Sequence, residues 1–182
     1  MDTSIDDQRR LLRLARHALE ARVQKTQAPA VEYGGALDWP CGAFVTIHYR
    51  GELRGCLGRV DVHAPLAETI AYLAAAVSDS DSRFSPVSAP ELPDIALEIS
   101  VLTPEREVRS IDEIEMGRHG LILEQGHRRG LLLPQVATEH GWNRETFLDH
   151  ACRKASLPPD AWRHGARILI FEAQVFRENG SG

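Results

Sequence analysis

The sequence predicts an α+β fold, and three observations carry that expectation. An apolar stripe at helical spacing opens the chain, glycine-bearing turns at Arg50-Gly51 and around Gly126 each separate two strand-like runs, and residues 95–102 alternate between apolar and polar. At 182 residues the chain makes one domain or a domain with a small lobe. A chain of that length buries roughly 70% of its extended surface, so the core needs no disulfide or metal staple.

The first helix is expected from Ile5 to Val23, with Ser4 and Asp7 as a capping pair and Leu11, Leu12, Ala15, Ala18 and Leu19 as its buried stripe. His17 lies beside that stripe and reads as a surface histidine. Residues 27–40 hold two prolines besides Gly34-Gly35 and form a connection that can divide a small N-terminal lobe from the rest. Ala43 to Tyr49 reads as a strand that reverses at Arg50-Gly51 into a second strand from Glu52. Pro65 opens a helix that buries Leu66, Ile70, Leu73, Ala74 and Val77. A polar loop follows, Ser78 to Phe84, and Ser88 three residues before Glu91 marks a short helical turn.

In the strand Ile95 to Leu102, Glu98 takes the less apolar face. Asp112 to Met116 is a short polar helix or turn. Leu121 to Glu124 and Leu131 to Leu133 form a second hairpin, and Pro134 begins a short helix ending at His140-Gly141. Asn143 caps the next helix, through Arg153, with Trp142, Phe147 and Leu148 as core and Cys152 as buried packing. Pro158-Pro159 is a connection. A last strand, Arg167 to Phe176, is expected to be internal at its beginning and half exposed near its end.

The chemistry concentrates in Leu53-Arg54-Gly55-Cys56-Leu57-Gly58. Alternation along a strand puts Arg54 and Cys56 on one side, about 7 Å apart. Gly55 and Gly58 clear space for a ligand or another backbone, and a guanidinium close by favours thiolate over thiol. The structural alternative is a small cysteine in a crowded hairpin, with Arg54 paired to a carboxylate. In the polar loop, Asp81 and Arg83 either line a cleft, with Arg83 receiving an anion, or tie the loop to itself. Glu98 is a partner for Arg54, a proton acceptor or a solvated strand residue. His119, in Gly117-Arg118-His119-Gly120, is open to a ligand or bonded to a turn backbone. Cys56, His119 and Glu98 together hold the parts for acyl or alkyl transfer, at sequence separations that fix no distance.

Composition narrows the classes. Cys41, Cys56 and Cys152 are an odd number, with no leader-like start, so free thiols in a cytoplasmic, reducing compartment are expected, Cys41 and Cys56 unlinked across the hairpin. The strongly apolar, charge-free run Thr69 to Val77 is well below the about 20 residues needed to cross a bilayer. A net charge of −5 gives no long-range attraction for nucleic acid, leaving His127-Arg128-Arg129 as a local turn patch. Cys-x-x-Cys, His-Glu-x-x-His and a phosphate-binding Gly-Lys-Ser/Thr loop do not occur, and no spacing points to a metal or another cofactor.

The runs Cys41-Gly42-Ala43-Phe44-Val45-Thr46, Leu53-Arg54-Gly55-Cys56-Leu57-Gly58, Asp81-Ser82-Arg83-Phe84, Glu91-Leu92-Pro93 and His119-Gly120 together resemble the AMMECR domain family. Leu132-Leu133-Pro134-Gln135-Val136-Ala137, Gly141-Trp142 and Phe147-Leu148 resemble its prokaryotic branch, protein A of the AmmeMemoRadiSam system. The resemblance runs from the first helix to the last strand. It implies a mixed or antiparallel sheet flanked by helices, in two unequal lobes with the Arg-Gly-Cys hairpin near a groove between them. It also implies a pathway shared with a Memo-like protein and a radical S-adenosylmethionine protein. Its signature positions fall on Arg54, Gly55, Cys56 and Gly58, with Asp81, Arg83 and His119 as further matches, and Leu57 stands where the family usually has isoleucine. Two classes of function follow: a groove that binds an anionic small molecule or modified peptide, or a non-enzymatic module that docks those partner proteins.

Overall fold

The computed structural model describes residues 2–60 and 63–178. They form two compact units, Met1–Leu102 with Gln174–Gly182, and Thr103–Ala173.

The first unit opens with α1 (Ile5–Gln24). The Ser4 hydroxyl accepts from the Asp7 N–H at 3.1 Å, as the capping pair requires, and Lys25 ends the helix in the left-handed region. Strands β1 (Ala43–Tyr49) and β2 (Glu52–Arg59) make the first hairpin, α2 (Leu66–Ala76) follows, and β3 (Ile95–Leu102) lies on the other side of β1. Arg50 and Gly51 both have positive φ, 51° and 87°, the conformation a two-residue hairpin turn demands. Val45, Ile47, Leu97 and Ile99 face α1 and α2 and are fully buried with Leu11, Leu19 and Ile70. The opposite sheet face carries Phe44, Thr46, His48 and Glu98, all half-buried.

The hairpin holds one irregularity. Tyr49 opposes Glu52 and His48 opposes Leu53, but Ile47 opposes Gly55. Arg54 is the extra residue of a β-bulge. Counting back from the turn without it would set Cys56 against Val45, on the core face; with it, Cys56 stands against Thr46 on the half-buried face.

The second unit contains β4 (Arg106–Glu107), β5 (His119–Gln125), β6 (Arg128–Leu132), α3 (Pro134–Glu139), α4 (Arg144–Lys154) and β7 (Arg167–Arg177), whose last residues belong to the first unit. Here β7 pairs with β4 and β5, and β5 with β6. Phe147, Leu121 and Ile114 are fully buried in its core, with Leu148 and Cys152. Asn143 caps α4 by accepting from the Thr146 N–H at 2.9 Å.

The fold is thus α+β, with every described strand pairing antiparallel and helices packed on the sheet. The 3-10 turn Gly35–Asp38 lies in the expected connection, and a second 3-10 turn, Ala161–Arg163, follows Pro158-Pro159. The presumed turn patch is corrected: Arg128 and Arg129 are in β6, Arg128 donating to the Ser156 carbonyl and Arg129 pairing with Glu105 and Glu124.

Candidate functional site

The Arg-Gly-Cys segment sits at the bulge. Arg54 is spent on structure: its Nε donates to Glu91 at 2.8 Å and its terminal nitrogens donate to the Ser85 and Pro86 carbonyls at 2.9 and 3.3 Å. Glu91 also accepts from the Ser88 N–H and hydroxyl, closing a capping box on the 3-10 turn Ala89–Asp94. Foremost the Arg54 bond, and then the Ser88 bonds, hold the Glu91 carboxyl down to about 2, against the cost of its burial. The bulged residue therefore clamps the hairpin to the segment 85–91.

Cys56 is half-buried. Its sulfur accepts from the Thr46 hydroxyl at 3.2 Å, and its N–H donates to Asp81 at 2.9 Å. Asp81 is buried, and it also binds Arg83 through the Arg83 N–H, Nε at 2.9 Å and Nη2 at 2.7 Å. Those bonds, the Arg83 side chain first, hold the Asp81 carboxyl well below the usual carboxylate range. Arg83 is 57% exposed. Its pKa is pushed up by Asp81 above all and, to a smaller degree, by the charge of Cys56.

Both motif glycines are explained by packing. A Cβ on Gly58 would come 2.2 Å from the Phe44 ring, and one on Gly55 would come 3.1 Å from Val77, carbonyl and side chain alike. Gly120 does for Phe171 what Gly58 does for Phe44, its Cβ position lying 2.2 Å from the ring.

Glu98 opposes Thr46 from β3, so Cys56, Thr46 and Glu98 make one row across the sheet. Its carboxylate is paired with Arg177 at 3.0 Å, and Arg54, one of the alternatives offered for Glu98, is bonded to Glu91 instead. His119 is in the second unit, 7% exposed at the start of β5. Its Nδ1 accepts from the Glu115 N–H at 3.0 Å, which puts the proton of the neutral ring on Nε2, 3.8 Å from Glu172. Cys41 and Cys152 are buried free thiols whose pKa values are raised by burial, Cys41 to about 11.

Thr46 and Glu91 stand in the family-like runs, but the sequence assigned them no role beside Cys56 or Arg54. Ser88-x-x-Glu91 carried a capping signal but none for Arg54, and Thr46 becomes the thiol's neighbour only through the bulge. Among the described residues no group of three or more His, Cys, Asp or Glu is arranged to hold a metal, and no helix is long and apolar enough to cross a membrane.

The arrangement has close relatives. A protein of Thermofilum pendens is 43% identical over 92% of this chain and 88% of its own length. One from Methanothermobacter thermautotrophicus is 41% identical over 97% of both chains. The crystal structure of the uncharacterised protein PH0010 from Pyrococcus horikoshii superposes with a TM-score of 0.83 at 36% identity, covering 93% of this chain and 90% of that one. The AMMECR1 family model matches residues 12–176, a span that takes in the bulged hairpin, the Asp81 loop and both cores, and the chain belongs to the AMMECR1 family.

Proposed function

We propose that the first unit binds a small molecule or modified peptide through an anionic group, held by Arg83 beside Cys56. One observation carries this reading: a single buried carboxylate, Asp81, grips both the Cys56 backbone and the Arg83 guanidinium. Asp81 engages Nε and Nη2 of Arg83, and Nη1 has no protein acceptor among the described residues. A ligand oxyanion can take up those N–H groups without breaking the Asp81 pair. Cys56 then lines the floor, its sulfur oriented by Thr46, and Arg54 acts as the brace of the hairpin.

Paired alkylating reagents test it. Iodoacetate carries the anion that iodoacetamide lacks, so their rate ratio at a thiol reports a local cationic site. Mass spectrometry on the folded protein, with Cys56→Ala for assignment, is expected to show Cys56 reacting ahead of Cys41 and Cys152. Its iodoacetate preference should exceed that of glutathione and fall in Arg83→Gln. A Cys56 with glutathione's ratio, unmoved by Arg83→Gln, would sink the anion site.

A second reading, a module that docks the Memo-like or radical S-adenosylmethionine protein implied by the resemblance, is favoured by a different observation: Arg9 and Arg13 on α1 are exposed and have no carboxylate partner among the described residues. It predicts that changing those arginines, with Cys56 left intact, weakens partner binding.

A further inference from the structure

The outer face of α1 and the end of β7 line an open groove of about 520 Å³ in the first unit. Leu12 and Phe176 contribute apolar floor, and Ile5 stands at the rim 68% exposed. Its arginines are of two kinds. Arg16 is consumed by Glu178 and by the Leu92 and Ile95 carbonyls, and Arg177 by Glu98. Arg9 and Arg13 are exposed and have no carboxylate partner among the described residues. Elsewhere exposed arginines are commonly paired, as Arg22 is with Asp79, Arg50 with Asp94 and Arg167 with Glu107. In a chain of net charge −5, two unpaired arginines four residues apart on one helix face are a local excess beside exposed apolar surface.

We propose that this groove docks an acidic amphipathic helix of a partner protein. Arg9 and Arg13 are about 6 Å apart along α1, the rise between carboxylates at i and i+4 of a facing helix. Ile5 and Leu12 are two turns apart, about 10 Å, matching apolar residues at i and i+7. The apolar contacts supply most of the affinity, since exposed ion pairs contribute little each, and the arginines supply orientation and encounter rate. Nucleic acid fits less well: a phosphate backbone has nothing apolar to cover Ile5, Leu12 and Phe176.

The test uses the full chain and a fluorescein-labelled synthetic peptide of about 15 residues, with leucine at i, i+3 and i+7 and flanking glutamates. Fluorescence anisotropy is expected to show saturable binding that weakens as salt rises from about 50 to 200 mM. Arg9→Glu/Arg13→Glu should weaken it about tenfold or more, and Ile5→Ser several-fold, with helical circular dichroism unchanged. A Lys25→Glu control, outside this groove, should bind as the parent does. A peptide of the same composition with its leucines scattered around the helix should not bind. The proposal fails if the arginine double variant binds like the parent, if no saturable binding occurs, or if a uridine oligomer of equal charge binds more tightly than the peptide.

Discussion

Glu91 and Asp81 are the two carboxylates on which the Arg-Gly-Cys hairpin depends, and both are held by an arginine together with backbone N–H groups. The folded pKa of Glu91 is about 2 against an ordinary 4.5, so its ionised form is favoured by folding. That stabilisation is fully present above pH 4.5 and is lost as pH falls through about 2. Arg54 and Glu91 are 14% and 20% exposed, so the pair contributes on the order of 2–3 kcal/mol after allowance for solvent screening. Glu91→Gln is expected to lower stability near neutral pH by about that amount and to flatten the acid limb of a urea-midpoint-against-pH curve. An acid limb as steep as the parent's would show that Glu91 is not the group titrating. Neutralising the buried Asp81 as Asn leaves Arg83 without its counter-charge and one acceptor fewer for the Cys56 N–H. Cys56 should then alkylate with altered rate while Cys41 and Cys152 stay protected. The Asp81–Arg83 tie was legible in the sequence because the residues are two apart. The Arg54–Glu91 tie was not, because 37 residues separate them and several carboxylates were equally eligible.

Among the elements, the glycines separate turns from close packing. Gly126 has φ of +61° with open space at its Cβ position, whereas a Cβ on Gly130 would lie 2.2 Å from the Ala155 backbone nitrogen, where β6 meets the end of α4. Gly130→Ala must shift backbone and is expected to cost about 3 kcal/mol or more; Gly58→Ala needs only the half-buried Phe44 ring to move, costing about 1–2 kcal/mol. Chemical denaturation of both variants checks the order, and equal losses would mean that the hairpin is as rigid as the β6–α4 contact. The long elements were readable because their periods repeat: α1 and β3 lie within a residue of expectation. A two-residue strand has no period to read, so β4 was invisible. The bulge left no mark either, since Arg54 is neither Gly nor a turn residue, yet it decides which face Cys56 takes.

At the scale of the whole molecule, the first unit is discontinuous: the chain leaves it after Leu102 and returns at Gln174. The return is held by side chains distant in sequence from their partners. Gln174 accepts from the Thr3 N–H and hydroxyl at 2.7 and 2.8 Å, Phe176 is buried in the core, and Glu178 binds Arg16 and accepts from the Leu97 N–H at 3.0 Å. A continuous apolar run, Ile168 to Phe171, announced the last strand but not its destination, because a pairing across most of the chain depends on the completed fold. Phe176→Ala removes a large core side chain and is expected to cost about 3–5 kcal/mol. Glu178→Ala leaves the half-buried Arg16 with only the longer carboxylate contact to Glu20, at 3.9 Å, and Leu97 without a side-chain acceptor. Amide hydrogen exchange locates both effects: protection should fall in α1 and β3, more than 70 residues away in sequence from the altered positions, and hold in the β5–β6 hairpin. Loss of protection spread equally over β5 and β6 would instead mean that the two units open as one cooperative body. Protection lost only near the altered residues would mean that α1 and β3 hold together without the returning segment.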